Sequence, residues 1–366
     1  FYDKYKSCQD YDLILRVSEI TDKIKHIPKI LYHWRSIPGS TAMDVAFKPE
    51  QQTNGQLAVQ DHLERRNIKA VVEVPEFAEK LRLSLYNLKF SLPIKENPKV
   101  TILIPTKDGL NYLKPCIDSI IEKTDYTNYE IVVVNNNSEE KETFNYFKKN
   151  SDKFKVIDLP TDKFDFAYIH NKAMKNINTK YTLLLNNDVK VINKDWLTQM
   201  VGTFTISPDV GAVGAKLLYE DKTLQHAGVV LGIHTTAGHA FRAQPENSIG
   251  YMFFPQVIRN YSACTAACLL VDTDLYKKVG GMDPKLAMAY NDVDLCLKFG
   301  EKNRRIVYNP NAVLFHYEMK SRTKGEYPGE STYFRKKWGD LIFSDPFYSP
   351  HLTLRANNFS LKEHDE

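Results

Sequence analysis

No apolar run in the 366 residues approaches the roughly 18 that a membrane span needs, and the longest, Ala263 to Val271, is interrupted by Thr265. A soluble chain is expected. Cysteine is scarce: Cys8, Cys116, Cys264, Cys268 and Cys296 are odd in number and scattered, which excludes a disulfide framework, and Cys264/Cys268 has no second pair to complete a zinc site. A reducing compartment follows. Neither sign of charge dominates, with 49 Lys+Arg against 45 Asp+Glu and a formal charge of +4. The basic residues are spread out, which speaks against a nucleic-acid partner. Four familiar sites are missing as well: G-x-x-x-x-G-K-[ST], G-x-G-x-x-G, G-x-S-x-G and H-E-x-x-H. What is present is core material. With 43% hydrophobic and 26% charged residues the chain is neither disordered nor fibrous, and its length suggests about two domains. It opens on Phe1 rather than Met, which predicts a longer natural chain.

The sequence repeats itself. Residues 9 to 16, Gln-Asp-Tyr-Asp-Leu-Ile-Leu-Arg, match residues 291 to 298, Asn-Asp-Val-Asp-Leu-Cys-Leu-Lys. Asp10 is followed by Pro28 and, 23 residues on, by His33; Asp292 is followed by Pro310 and, 24 residues on, by His316. A duplicated domain explains both the match and the kept spacing. Residues 1–45 therefore read as the closing remnant of a first domain, 46–98 as a helical connector and linker, 99–350 as a complete second domain and 351–366 as a tail. The connector is expected to hold one helix around Gln51 to Arg66 and a second, charged one from Glu76 to Phe90, before a linker at Leu92 to Pro98.

From Lys99 the rhythm is β/α. Val100 to Pro105, Glu130 to Val134, Phe154 to Leu159 and Tyr181 to Leu185 read as strands, with helices over Tyr112 to Lys123, Glu139 to Lys149 and Tyr168 to Asn176 between them. Continuous Val/Ile runs imply parallel strands covered on both faces, and ligands bind such open sheets at the carboxyl ends of the strands. That rule selects Pro105 to Asp108, Asn135 to Ser138 and Asn186 to Asp188.

Asn186-Asn187-Asp188 at a strand end offers one carboxylate and two amides, enough for a hard divalent cation that completes its shell with substrate phosphates, although the same tripeptide is ordinary turn chemistry. Asp292 and Asp294 open a helix that runs to about Glu301. Two residues apart, they point to nearly opposite sides and cannot form a carboxylate dyad, so one can face a site while the other caps the helix or is solvated. His316 ends the apolar stretch Ala312 to Phe315, where metal or phosphate contact competes with a structural role. Lys320, Arg322 and Lys324 follow in a loop suited to a diphosphate or simply to solvent.

In order and spacing these segments resemble family 2 glycosyltransferases of the GT-A fold. The resemblance rests on Val-Thr-Ile-Leu-Ile-Pro-Thr-Lys-Asp (100 to 108), Glu-Ile-Val-Val-Val-Asn-Asn-Asn-Ser (130 to 138), Leu-Leu-Asn-Asn-Asp-Val (184 to 189), Gly-Gly-Met-Asp (280 to 283), Asn-Asp-Val-Asp-Leu-Cys-Leu (291 to 297), and His316 with Ser321-Arg322. It covers 99 to about 350, while Gln9 to Ala42 resembles the close of a preceding domain of the same family. The whole is similar to a fragment of a tandem bacterial polysaccharide enzyme of the O-antigen or rhamnan type. The implied fold is α/β, a Rossmann-like, mostly parallel open sheet flanked by helices.

The resemblance also implies roles. Thr106, Asp108, Asn135 and Asn137 would surround the nucleotide; Asn186, Asn187, Asp188 and Arg322 would complete the nucleotide-sugar site; Asp188 and His316 would hold Mn²⁺ or Mg²⁺. Asp292 would be the general base and Asp294 would touch the acceptor or hold the helix start. Two positions depart from the family pattern: Asn135 replaces the usual Asp, and Ala266 stands where relatives tend to have Gly. The implied reaction is an inverting transfer from a nucleotide sugar to a lipid-linked glycan at the cytoplasmic face of the plasma membrane, with peripheral membrane association and the rest of a tandem chain as partner. The competing readings are an inactive glycan-binding or scaffolding module and a nucleotidyltransferase; the latter lacks its glycine-rich, basic start at Pro105 to Leu110.

Overall fold

The computed structural model describes residues 2–25, 27, 29, 31–37, 50–92, 97–318 and 327–363. Pro28, most of the expected linker, Arg322 with its neighbours Lys320, Ser321 and Lys324, and the end of the tail lie outside them. By internal contacts the chain divides into two compact units, Phe1–Ser91 and Leu92–Glu366.

The first unit contains α1 (Gln9–Ile20), α2 (Glu50–Arg65), β1 (Ala70–Glu73), α3 (Glu76–Lys80) and β2 (Asn87–Phe90). The helix expected over Glu76 to Phe90 is a short helix followed by a strand. Arg82 takes a left-handed φ of 53°, which ends the helix, and Asn87 to Phe90 then pairs antiparallel with Ala70 to Glu73. In α1, Asp12 is fully enclosed and meets Arg16 four residues on at 3.0 Å, whereas Asp10 faces solvent.

The second unit runs β3 (Val100–Thr106), α4 (Leu110–Lys123), β4 (Tyr129–Asn135), α5 (Lys141–Lys149), β5 (Lys155–Asp158), α6 (Phe166–Met174), β6 (Tyr181–Leu185), β7 (Val189–Val191), α7 (Trp196–Thr203), β8 (Val210–Leu218), β9 (Leu224–His226), β10 (Val229–Leu231), β11 (Ala237–His239), β12 (Arg259–Tyr261), β13 (Cys268–Asp272), α8 (Thr273–Lys278), α9 (Asn291–Glu301), β14 (Arg305–His316) and α10 (Pro328–Trp338). The main sheet has ten strands in the order β12-β14-β8-β13-β6-β3-β4-β5, with β7 paired to β14 and β9 to β8. β5, β4, β3 and β6 are mutually parallel, β13 runs against both β6 and β8, and β14 is parallel to β8. Strands β5, β4, β3, β6, β8 and β14 therefore all point the same way, and the sheet is a mostly parallel open one.

Strand alternation builds two cores from one sheet. Leu103, Val132, Val134 and Leu184 join one cluster, while Ile102, Ile104, Ile131, Val133, Leu183 and Leu185 join the other. Helix α4 covers the second cluster with Leu113, Cys116, Ile117 and Ile120 at helical spacing. All five cysteines are free and buried. No described helix is long and apolar enough to cross a membrane.

Lys216 on β8 is 4% exposed, donates from Nζ to Gln256 Oε1 at 2.9 Å, and burial brings its ammonium down from 10.5 to about 8. The unfolded chain thus holds this proton more tightly, so the group costs stability below about pH 8, and that cost disappears as pH rises toward 10.5. Lys216→Met is expected to melt higher than the unsubstituted protein at pH 7, with the gap narrowing by pH 10. Thermal melts of the pair at both pH values check it.

Candidate active site

The carboxyl ends of β3, β4, β6, β8 and β14 share one edge of the sheet. Because β13 runs the other way, the chain entering it at Thr265 to Ala267 reaches the same edge. There a cleft of about 1250 Å³ is lined by Thr106, Asn186 to Asp188, Tyr219, Gln225, His239, Arg242, Thr265, Ala267, Met288, His316, Glu318 and Tyr327, among others.

Asn186 to Asp188 form the turn between β6 and β7, and β14 lays His316 opposite Val189. This register brings His316 Nε2 to 3.3 Å from Asp188 Oδ1 and to 3.3 Å from Asn186 Nδ2. Asp188 and His316 are both nearly enclosed, and His316 Nδ1 has no hydrogen-bond partner among the described residues. Among the described residues no group of three or more His, Cys, Asp or Glu is arranged to hold a metal. One carboxylate and one imidazole on a cleft wall nevertheless fit a hard divalent ion that takes its other oxygens from substrate phosphates and water.

Thr106 ends β3 and accepts at Oγ1 from Asn187 Nδ2 at 2.9 Å, joining two strand ends. Asp108, Asn135 and Asn137 lie beyond the cleft wall and staple loops. Asp108 takes a left-handed φ of 49°, and its carboxylate accepts from the backbone of Glu139 and Glu140, each at 2.9 Å. Asn135 donates to Asp158 Oδ1 at 2.7 Å and accepts from Ser138 N at 3.2 Å, while Asn137 donates to the Thr161 carbonyl. Where the family pattern has Asp, Asn135 is thus the partner of an Asp on the next strand. Arg322 lies outside the described residues; Glu318 and Tyr327, the described residues that precede and follow it in the sequence, both line the cleft.

Asp292 is half-buried and is not among the cleft-lining residues; it accepts at Oδ2 from Ala266 N, between the lining residues Thr265 and Ala267, at 3.0 Å and at Oδ1 from Val293 N at 2.8 Å. Each oxygen retains a lone pair for another donor. Asp294 is different. It is 0% exposed, and its carboxylate meets Lys337 Nζ at 2.5 Å, Trp338 Nε1 at 2.9 Å and Lys298 Nζ at 3.6 Å. In this arrangement Asp294, on the first turn of α9, ties that helix to Lys337 and Trp338 of α10.

Sequence reasoning missed the wall formed by Tyr219, Gln225, His239, Arg242 and Glu318, and the buried His226 beside it. Arg242 donates from Nε to Tyr219 Oη at 2.7 Å and faces Glu318 at 3.4 Å. His226 and His239 meet Nδ1 to Nδ1 at 3.0 Å, and burial above all pushes both imidazoles down from 6.5. The only sequence signal was two histidines flanking a glycine-rich apolar stretch, Leu224 to Phe241.

Residues 101–267 match the family described as Glycosyl transferase family 2. Over 99% of the chain an uncharacterized protein of Sinorhizobium fredii is 36% identical, and an O-antigen biosynthesis protein of Myxococcus xanthus is 34% identical. The chain spans only 40% and 28% of their respective lengths. Among solved structures, that of GalNAc-T7 with UDP, GalNAc and Mn²⁺ superposes with a TM-score of 0.54 at 12% identity, covering 70% of this chain and 50% of that one. With strand order, site edge and family match in agreement, residues 101–267 form a glycosyltransferase family 2 domain, and the second unit has GT-A architecture.

Proposed function

We propose that the second unit transfers a sugar from a nucleotide-sugar donor to a hydroxyl of a glycan acceptor, with inversion at the anomeric carbon. The observation that carries this reading is the gathering of Thr106, Asn187, Asp188 and His316 on one cleft wall, with the Asp292 carboxylate bonded to Ala266 N between the lining residues Thr265 and Ala267. Asp188 and His316 would hold a divalent cation, Mn²⁺ or Mg²⁺, which supplies positive charge to the departing diphosphate. Asp292 takes the proton from the acceptor hydroxyl as its oxygen bonds to the anomeric carbon and the bond to the diphosphate breaks. A diphosphate leaves without a proton, so one carboxylate suffices. Thr106 and Asn187 orient the donor, and Arg322 adds charge beside it. A polysaccharide acceptor, lipid-linked and met at the inner face of the plasma membrane, is supported by the O-antigen name of the Myxococcus relative.

A tandem arrangement is part of the proposal. In α9, Val293, Leu295, Cys296 and Phe299 are buried, whereas their counterparts in α1, Tyr11, Leu13, Ile14 and Val17, are 39%, 38%, 64% and 37% exposed. The same helix with its apolar face uncovered fits the sheet of another domain of this architecture.

Calorimetry with UDP-, dTDP- and GDP-sugars, each with Mn²⁺ or Mg²⁺, tests the reading. A nucleotide sugar is expected to bind, to lose that binding in chelator, and to bind Asp188→Ala no better with metal than without it. Unchanged binding in chelator sinks the metal assignment, and silence across the panel favours a glycan-binding or scaffolding module.

A further inference from the structure

The histidine pair at the ends of β9 and β11 is a built device that the transfer reading does not use. His226 is 0% exposed, and its Nε2 is enclosed without a hydrogen-bond partner. His239 lines the cleft, and the two rings meet edge to face, 5.0 Å between centroids at 82°. Burial keeps both neutral at neutral pH. Two neutral imidazoles in contact through their Nδ1 atoms at 3.0 Å share one proton, so one donates and the other accepts.

The surroundings choose which. Were His239 the donor, His226 would carry its own proton on Nε2, an enclosed N–H with no acceptor. Orphaned N–H groups are rarer in folded proteins than under-satisfied acceptors. With His226 donating, its Nε2 is only a bare lone pair, and His239, accepting at Nδ1, must carry its proton on Nε2. That atom is the remaining polar atom of the ring; it is neither enclosed nor engaged by any described residue. Besides its contact with His226, His239 shares the cleft lining with Asp188, His316, Arg242 and Glu318, and the Asp292 carboxylate acts electrostatically on its imidazole. The N–H therefore opens into the cleft that holds the donor sugar in the reading above, on which this inference rests.

We infer that His239 is a sugar-binding residue, presenting a fixed Nε2–H donor to a hydroxyl of the transferred sugar, and that His226 is the positioning residue that fixes its tautomer. A neutral donor locked in one direction discriminates by what it leaves unpaired: a sugar with no oxygen at that place strands a desolvated N–H, which is the stronger form of selection.

Nitrogen-15 NMR of the unsubstituted protein needs no variant. His226 is expected as the Nδ1–H tautomer and His239 as the Nε2–H tautomer, and the reverse assignment overturns the inference. The binding arm uses UDP-N-acetylglucosamine, GDP-mannose and dTDP-rhamnose, each against its bare nucleoside diphosphate, with Mn²⁺ present. For whichever pair binds, His239→Phe is expected to weaken the nucleotide sugar about tenfold and leave the bare nucleotide unchanged, the effect of one lost hydrogen bond. His239→Gln, which keeps an N–H donor, should recover part of that loss. His226→Phe should give a smaller loss of the same kind and mix the His239 tautomers. Equal weakening of sugar and bare nucleotide, or of neither, overturns the inference alone, whereas failure of every nucleotide to bind overturns the transfer reading and this inference with it.

Discussion

Asp292→Asn is expected to lower the transfer rate about 10²–10⁴-fold while the affinity for the nucleotide sugar stays the same. The substitution is nearly isosteric. Asp292 accepts one backbone N–H at each carboxylate oxygen, from Ala266 and from Val293. An amide keeps one of these bonds and turns an N–H against the other donor, a local cost shared by the loop and the first turn of α9. What it cannot do is take a proton. If Asp292 removes the acceptor proton, single-turnover transfer collapses and calorimetric donor binding is preserved. If the residue only ties Ala266 to the start of α9, binding and transfer fall together, because Thr265 and Ala267 on either side line the cleft. The split between the two measurements decides the role.

Strands β3, β4 and β6 and the last residues of β14 were legible because each is a continuous apolar run, and alternate residues of the same run enter opposite cores. Their carboxyl ends then located Thr106, Asn186 to Asp188 and His316 without knowledge of any contact. Two kinds of feature were not legible. Strands β9, β10 and β11 have three residues each, too short for periodicity, so the wall carrying His226 and His239 gave no pattern. The helix expected over Glu76 to Phe90 failed for a related reason: charge and apolar spacing over fifteen residues suited a helix, but a left-handed Arg82 and a partner strand at Ala70 to Glu73 decided otherwise. Asp108 and Asn135 stand where the strand-end rule puts them, yet their polar atoms are engaged by the loop after β4 and by Asp158 on β5. A rule that places a residue at the site edge says nothing about which donors reach it first.

Asp294 carries the largest expected effect on stability: Asp294→Ala should cost the second unit about 3–4 kcal/mol, the lower part of the range for breaking a buried ion pair because Lys337 keeps a second partner. That partner is Asp283, 2.7 Å from Lys337 Nζ and also bonded by Tyr333 Oη at 2.9 Å. Asp283 closes the Gly280 to Asp283 segment, where Gly281 is required: its φ is +67°, and a Cβ there would stand 2.1 Å from Asn171 Oδ1. Lys337 therefore joins two separate sequence motifs, and Asp294 is the fully enclosed end of the bridge. The i,i+4 pairing of Asp294 with Lys298 has its counterpart in Asp12 with Arg16, so the repeat preserves an enclosed inner carboxylate and a more accessible outer one. Removing the inner one leaves the Trp338 N–H without its acceptor and takes one partner each from Lys298 and Lys337, and Asp294→Asn, which keeps an acceptor for Trp338, should lose less. Urea unfolding followed by tryptophan fluorescence reads the change. An Asp294→Ala protein of unchanged stability that binds acceptor poorly would return Asp294 to the acceptor site, whereas the expected loss of stability makes it the clamp that holds the Asp292 helix against α10.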